Sequence, residues 1–187
     1  MSYVGRGYYF YVTGWVPEHK DARSVDAKLI ARYGIAISKW TRARRKRIGL
    51  ANTQYIRHGR FFVLLATNGH HRFFNDEATM IQDVRRTPIK YAGYSVSVRG
   101  GHSHVQIARD VYKGLKARCL EIAIRKPKTI IERELQGFAF EPYAPVRRQM
   151  LALIRATNRA RTIAGLPQLS NRILDLHRRI QRPFDWS

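Results

Sequence analysis

Two histidines one residue apart, His102 and His104, sit in "GYSVSVRGGHSHVQIARD", residues 93–110. Alternate residues of a β-strand point to the same face, so both imidazoles can reach one divalent cation, with Gln106 next on that face. The same face can also donate from Ser, Arg, His and Gln to phosphates and base edges, or simply meet water. Gly100 and Gly101 between the two runs supply the positive φ angles of a two-residue hairpin turn. That turn sets Arg99 opposite His102, Ser97 opposite His104 and Ser95 opposite Gln106. Val98 then meets Ser103, Val96 meets Val105 and Tyr94 meets Ile107. Tyr94, Val96, Val105 and Ile107 are expected to cover a core. Ser95, Ser97, Arg99, His102, His104 and Gln106 are expected to face solvent or a ligand.

The tripeptide His102-Ser103-His104 resembles the His-hydrophobic-His motif of the HUH endonucleases, which include rolling-circle initiators, relaxases and Y1 transposases. The resemblance implies Mg²⁺ or Mn²⁺ held by His102, His104 and Gln106. It also implies Tyr112, on the following helix, as the nucleophile of a single-strand DNA nickase of a mobile element. Ser103 stands where the motif has a bulky apolar residue, Tyr112 follows His104 by only eight residues, and Arg99 lies beside His102. Carboxylates, the usual partners of these ions, are missing from the face.

The densest basic stretch is "KWTRARRKR", with Lys39, Arg42, Arg44, Arg45, Lys46 and Arg47 and no acid. Ser38 and Gly49 bracket it as a short helix, with Trp40, Ala43 and Ile48 as its apolar seam. So many unpaired cations fit contact with phosphates. Arg147, Arg148, Arg155 and Arg159 extend the basic character near the C-terminal end. In "GYYFYVT", strand alternation would bury Tyr8 and Phe10 and leave Tyr9 and Tyr11 for stacking on bases. His70 and His71 are adjacent and point apart in extended chain, which disfavours a shared metal. Asp76 and Glu77 are expected to open a helix and meet its dipole. No GxxxxGK[ST], GxSxG or HExxH pattern occurs, so ATP hydrolysis and serine-hydrolase chemistry have no support.

These side chains sit on a strongly basic chain. Its 187 residues carry 35 Lys plus Arg against 13 Asp plus Glu, a net charge of +22. Such an excess repels itself unless a polyanion neutralises it. Of the basic residues 26 are Arg, whose planar fork binds phosphate bidentately and stacks on bases. Nucleic acid is the expected partner, within a nucleoprotein complex containing other proteins. The single Cys119 excludes an internal disulfide and is expected in the core. No apolar run is long enough to span a bilayer, and no signal peptide is evident. A soluble, cytoplasmic protein without membrane contact is expected.

The element order reads as strand 7–13, helix 21–34, helix 38–49, strand 60–67 and a helix at 75–86 capped by Asn75. A hairpin over 89–107 and a helix capped by Asp110 follow. This predicts an α+β fold: a small RRM-like or ferredoxin-like antiparallel sheet with packed helices over residues 1–127. An Arg-rich helical extension is expected over 128–187. The leading expectation is a non-enzymatic nucleic-acid-binding protein, with RNA slightly favoured over DNA, that contacts the phosphate backbone and needs no cofactor.

Overall fold

The computed structural model describes residues 3–138 and 140–174. It is mixed α+β, with two small antiparallel sheets and, among the described residues, six α-helices. Chain contacts divide it into two compact units. The first holds the described residues up to Ile89 together with Val96–His104; the second holds Lys90–Ser95 and the described residues from Val105 onward.

The first unit follows the order β1 (Phe10–Trp15), α1 (Ala22–Arg32), α2 (Lys39–Arg47), β2 (Thr53–His58), β3 (Phe61–Ala66), α3 (Arg72–Asp76) and β4 (Gln82–Asp83). The strands lie in the order β2-β3-β1-β4, and each neighbouring pair is antiparallel. Tyr11 pairs with Leu65 and Val12 with Leu64 across β1 and β3. Tyr11 and Leu65 join Val4, Tyr8, Val84 and Ile89 in one cluster, against which Val96 and Val98 pack. Val12 and Leu64 join Tyr33, Ile35 and Phe73 in another, with Leu29 and Ile30 of α1 against it. Both faces of the sheet centre are covered, which is why "FFVLLA" is apolar on both alternations.

Several local expectations change here. Tyr11 is buried, because β1 starts at Phe10 and presents that ring to the first cluster. β2 has no apolar alternation to announce it; it is an edge strand. His71 caps α3, accepting from the Phe73 amide at 3.1 Å, so Asn75 lies inside the helix rather than before it. The helix begins early because Phe73 must reach the core, where it is fully buried. Asp76 and Glu77 therefore end α3 instead of opening it. Asp76 pairs with Arg32 and Arg72 at 3.1 Å each, and Glu77 accepts from the Tyr33 hydroxyl. Asp21 and Ser38 cap α1 and α2 as expected.

The second sheet has the order β5-β6-β7, with β5 Ile89–Tyr91, β6 Tyr94–Arg99 and β7 His102–Ile107. Its two turns have positive φ at both central residues: 46° and 79° at Ala92 and Gly93, 55° and 77° at Gly100 and Gly101. Val105 and Ile107 are buried as expected, but so are Ser95 and Ser97. β6 is the central strand, so its polar side is not the open face that alternation suggests.

In the second unit, α4 (Arg109–Arg125), α5 (Lys128–Gln136) and α6 (Ala144–Ile163) follow the sheet, and α4 packs on α6. This unit thus takes in α4 as well as the residues beyond 127. Ala108 occupies the cap position of α4 without a side-chain bond, and Asp110 sits in the first turn rather than at the cap. The Gln149 side chain accepts from the Ile107 amide at 2.8 Å and donates to its carbonyl at 3.1 Å, closing the edge of β7. Cys119 is a buried free thiol. Val146, Met150, Leu153, Ile154 and Thr157 form the buried stripe of α6. Arg161 ends that stripe at 2% exposure, donating to the carbonyls of Ala123, Lys126 and Pro167. The expected last turns beyond Leu174 lie outside the described residues. No described helix is long and apolar enough to cross a membrane.

Candidate nucleic-acid interface

α2 docks with its polarity inverted. It buries no residue completely. The side chain that fixes it is Arg42, whose guanidinium donates to the carbonyls of Ile35 at 2.5 Å and Thr53 at 3.0 Å and to the Tyr8 hydroxyl at 3.3 Å. Asn52 completes the attachment by donating to the Arg42 carbonyl at 3.0 Å. The expected seam points outward: Trp40 is 81% and Ile48 62% exposed, and Ala43 is exposed too. Lys39, Arg44, Lys46 and Arg47 share that exposure, while Arg45 is half-buried. The enclosed Arg45 Nη1 has no hydrogen-bond partner among the described residues. So four of the six expected cations are displayed and two are turned inward.

The acids lie elsewhere. Asp26 holds Arg57 at 2.8 Å, and that hydrogen bond keeps its carboxyl below the usual range against the cost of burial. Asp83 holds Arg85 at 2.6 Å; Glu134 holds Lys126 at 2.8 Å and Arg118 at 3.3 Å. Among the described residues no ion pair reaches an α2 cation. The field of α2 is felt nonetheless. Burial lowers the pKa of His71 and the Arg45 charge lowers it further, which keeps Nδ1 free to cap α3.

Beside α2 lies a cleft of about 360 Å³. One wall is the segment Arg6–Phe10, held by the turn at Gly7 with φ of 93°. Lys46 reaches in from α2, and Asn52, Thr67 and Asn68 form the far side. The last wall is Arg85, whose guanidinium lies 4.6 Å from the centre of the Tyr9 ring and 5.7 Å from that of Phe10. Asp83 fixes this plane through Nε at 2.9 Å and Nη2 at 2.6 Å. Next to Asn68, the chain at Gly69 runs close against residues 49–51. A Cβ there would sit 2.6 Å from the Gly49 carbonyl oxygen, and φ is 129°. Arg6, Lys46, Asn68 and Arg85 are exposed; Tyr9 and Phe10 are half-buried. Tyr9 and Lys46 stood out in the sequence as single features. Arg85 and Asn68 did not, since no local pattern links them to residues 6–10.

A second basic row lies on α6. Arg148, Arg155 and Arg159 are exposed; at spacings of seven and four they fall within about 40° of one another around the helix and opposite the buried stripe. Arg147 is half-buried, and its enclosed Nε has no partner among the described residues. On β7, His102 and the neighbouring Arg99 are exposed, while His104 and Gln106 are half-buried, as is Tyr112 on α4. Among the described residues no three His, Cys, Asp or Glu side chains are grouped to hold a metal ion. For His102 and His104 the third donor would be Gln106. Comparison with protein-family models, curated proteins and solved structures gives no match for the chain.

Proposed function

We propose that the protein binds nucleic acid through the phosphate backbone, RNA in preference to DNA, as one component of a larger nucleoprotein complex. The single observation that carries this reading is α2. A helix whose two large apolar residues, Trp40 and Ile48, point to solvent among four exposed cations leaves its stability to Arg42 and its surface to a partner. A polyanion offers what that surface lacks: negative charge for the cations and flat bases for the indole. The exposed arginines of α6 add a further phosphate-binding row.

The order β-α-α-β-β-α-β, a βαββαβ plan with α2 as an added helix, and the antiparallel strand arrangement β4-β1-β3-β2 support a ferredoxin-like, or RRM-like, reading of the first unit. In this chain the sheet centre is covered on both faces. The reading therefore places contact on α2 and its surroundings rather than on an open sheet.

The test is fluorescence anisotropy with labelled RNA and DNA, each as a hairpin and as a single strand, from 50 to 300 mM salt. Binding that is tighter for RNA and weakens steeply with salt is expected. Absence of binding to all four probes at 50 mM salt overturns the proposal and points to an acidic protein partner instead.

A further inference from the structure

We infer that the cleft beside α2 takes one unstacked nucleotide of a single strand, with its base on the Tyr9–Arg85 platform and its phosphate between Arg6 and Lys46. This rests on the reading of the protein as nucleic-acid-binding and adds which part of the polymer is held, and where.

Size is the first ground. About 360 Å³ lies at the small end of ligand pockets, enough for a nucleotide and too small for a duplex. Layering is the second. The Arg85 guanidinium lies over Tyr9 and is clamped there by Asp83, so a flat cationic surface exists before any ligand arrives. A base can stack on that surface without first ordering it. Charge is the third. Arg6, Lys46 and Arg85 line the cleft and no carboxylate does. Arg6 and Lys46 have no ion pair among the described residues. Polarity is the fourth. Asn68 and Thr67 stand where base edges need donors and acceptors, beside Asn52. Asn52 is 5% exposed, and its Oδ1 accepts no hydrogen bond among the described residues.

The experiment separates base from phosphate. A twelve-residue oligothymidine and an abasic strand of the same length and charge are bound to the full chain, and free AMP is tested alongside. Wild type is expected to prefer the strand with bases by about tenfold, the size of one good stacking contact. Tyr9→Leu/Arg85→Ala should erase that preference and keep the affinity for the abasic strand. Arg44→Ala/Arg47→Ala should weaken both strands and keep the preference. Saturable binding of AMP at micromolar levels, with no gain for the strand, would assign the cleft to a free nucleotide and overturn the inference.

In case the double variant fails to fold, iodouridine crosslinking of the wild type reads the same point. Adducts are expected within residues 6–10; adducts confined to Trp40 overturn the inference. Equal binding of both strands by wild type overturns it too, but leaves the proposed function standing. Failure of these strands and of the RNA probes to bind removes both.

Discussion

Arg42 and Arg44 lie two positions apart and are alike in sequence, yet they belong to different parts of the molecule. Arg42 is part of the fold: its three hydrogen bonds hold α2 to the turn at Ile35, to β2 and to Tyr8. Arg44 reaches solvent. Replacing Arg42 with Met keeps the apolar stem but leaves two carbonyls without a charged donor. Such bonds contribute about 1.5–3 kcal/mol each, so Arg42→Met should cost about 3–6 kcal/mol, toward the lower end because the stem still packs. Urea denaturation measures this. Arg44→Ala should change stability by under about 0.5 kcal/mol. Equal stability of the two variants would mean that Arg42 does not anchor the helix. At this scale the sequence was legible in kind and not in role. Six cations without acids announced a strongly basic helix, but that Arg42 would turn inward depends on the carbonyls of Ile35 and Thr53, which no pattern in residues 39–47 reveals. Serine at 95 and 97 misled in the same way, because burial there follows from the strand's central place and not from the side chain.

Elements were legible where the signal is local. The caps Asp21 and Ser38, the Gly100–Gly101 turn and the apolar run of β3 are each written in a few adjacent residues, and each formed as expected. β2 and β4 were missed because they are edge strands whose partners lie across the sheet. The split of residues 89–99 into β5 and β6 was missed because Ala92 gives no turn signal. Its φ of 46° is the only positive value at a non-glycine among the described residues. An alanine in the left-handed region costs about 1–2 kcal/mol, a penalty that asparagine largely avoids. Ala92→Asn would also create Asn-Gly, the preferred pair for this turn. It should raise stability by about 0.5–1 kcal/mol, seen as a higher melting temperature by circular dichroism. A lower melting temperature would show that this turn is not the one the chain adopts.

For the molecule as a whole, the net charge was legible at once, whereas the way the charge is distributed needed the fold. Intramolecular ion pairs occupy Arg57, Arg85, Arg118 and Lys126, among others. What stays displayed, among the positions singled out in the sequence, is four cations on α2, a row of three on α6, and Arg99 beside His102. Salt dependence can separate these sets, because each phosphate neutralised adds about 0.7 to the slope of log K against log salt for single strands and about 0.9 for duplex DNA. Replacing Lys39, Arg44, Lys46 and Arg47 together with alanine should flatten the single-strand slope by about 3. Replacing Arg148, Arg155 and Arg159 should flatten it by about 2. The two rows belong to different units and share no residue, so the combined variant should lose the sum. A slope unmoved by the α2 set, with affinity retained, would place the phosphates elsewhere and remove α2 from the interface. A combined loss well short of the sum would mean that one nucleic acid engages only one row at a time.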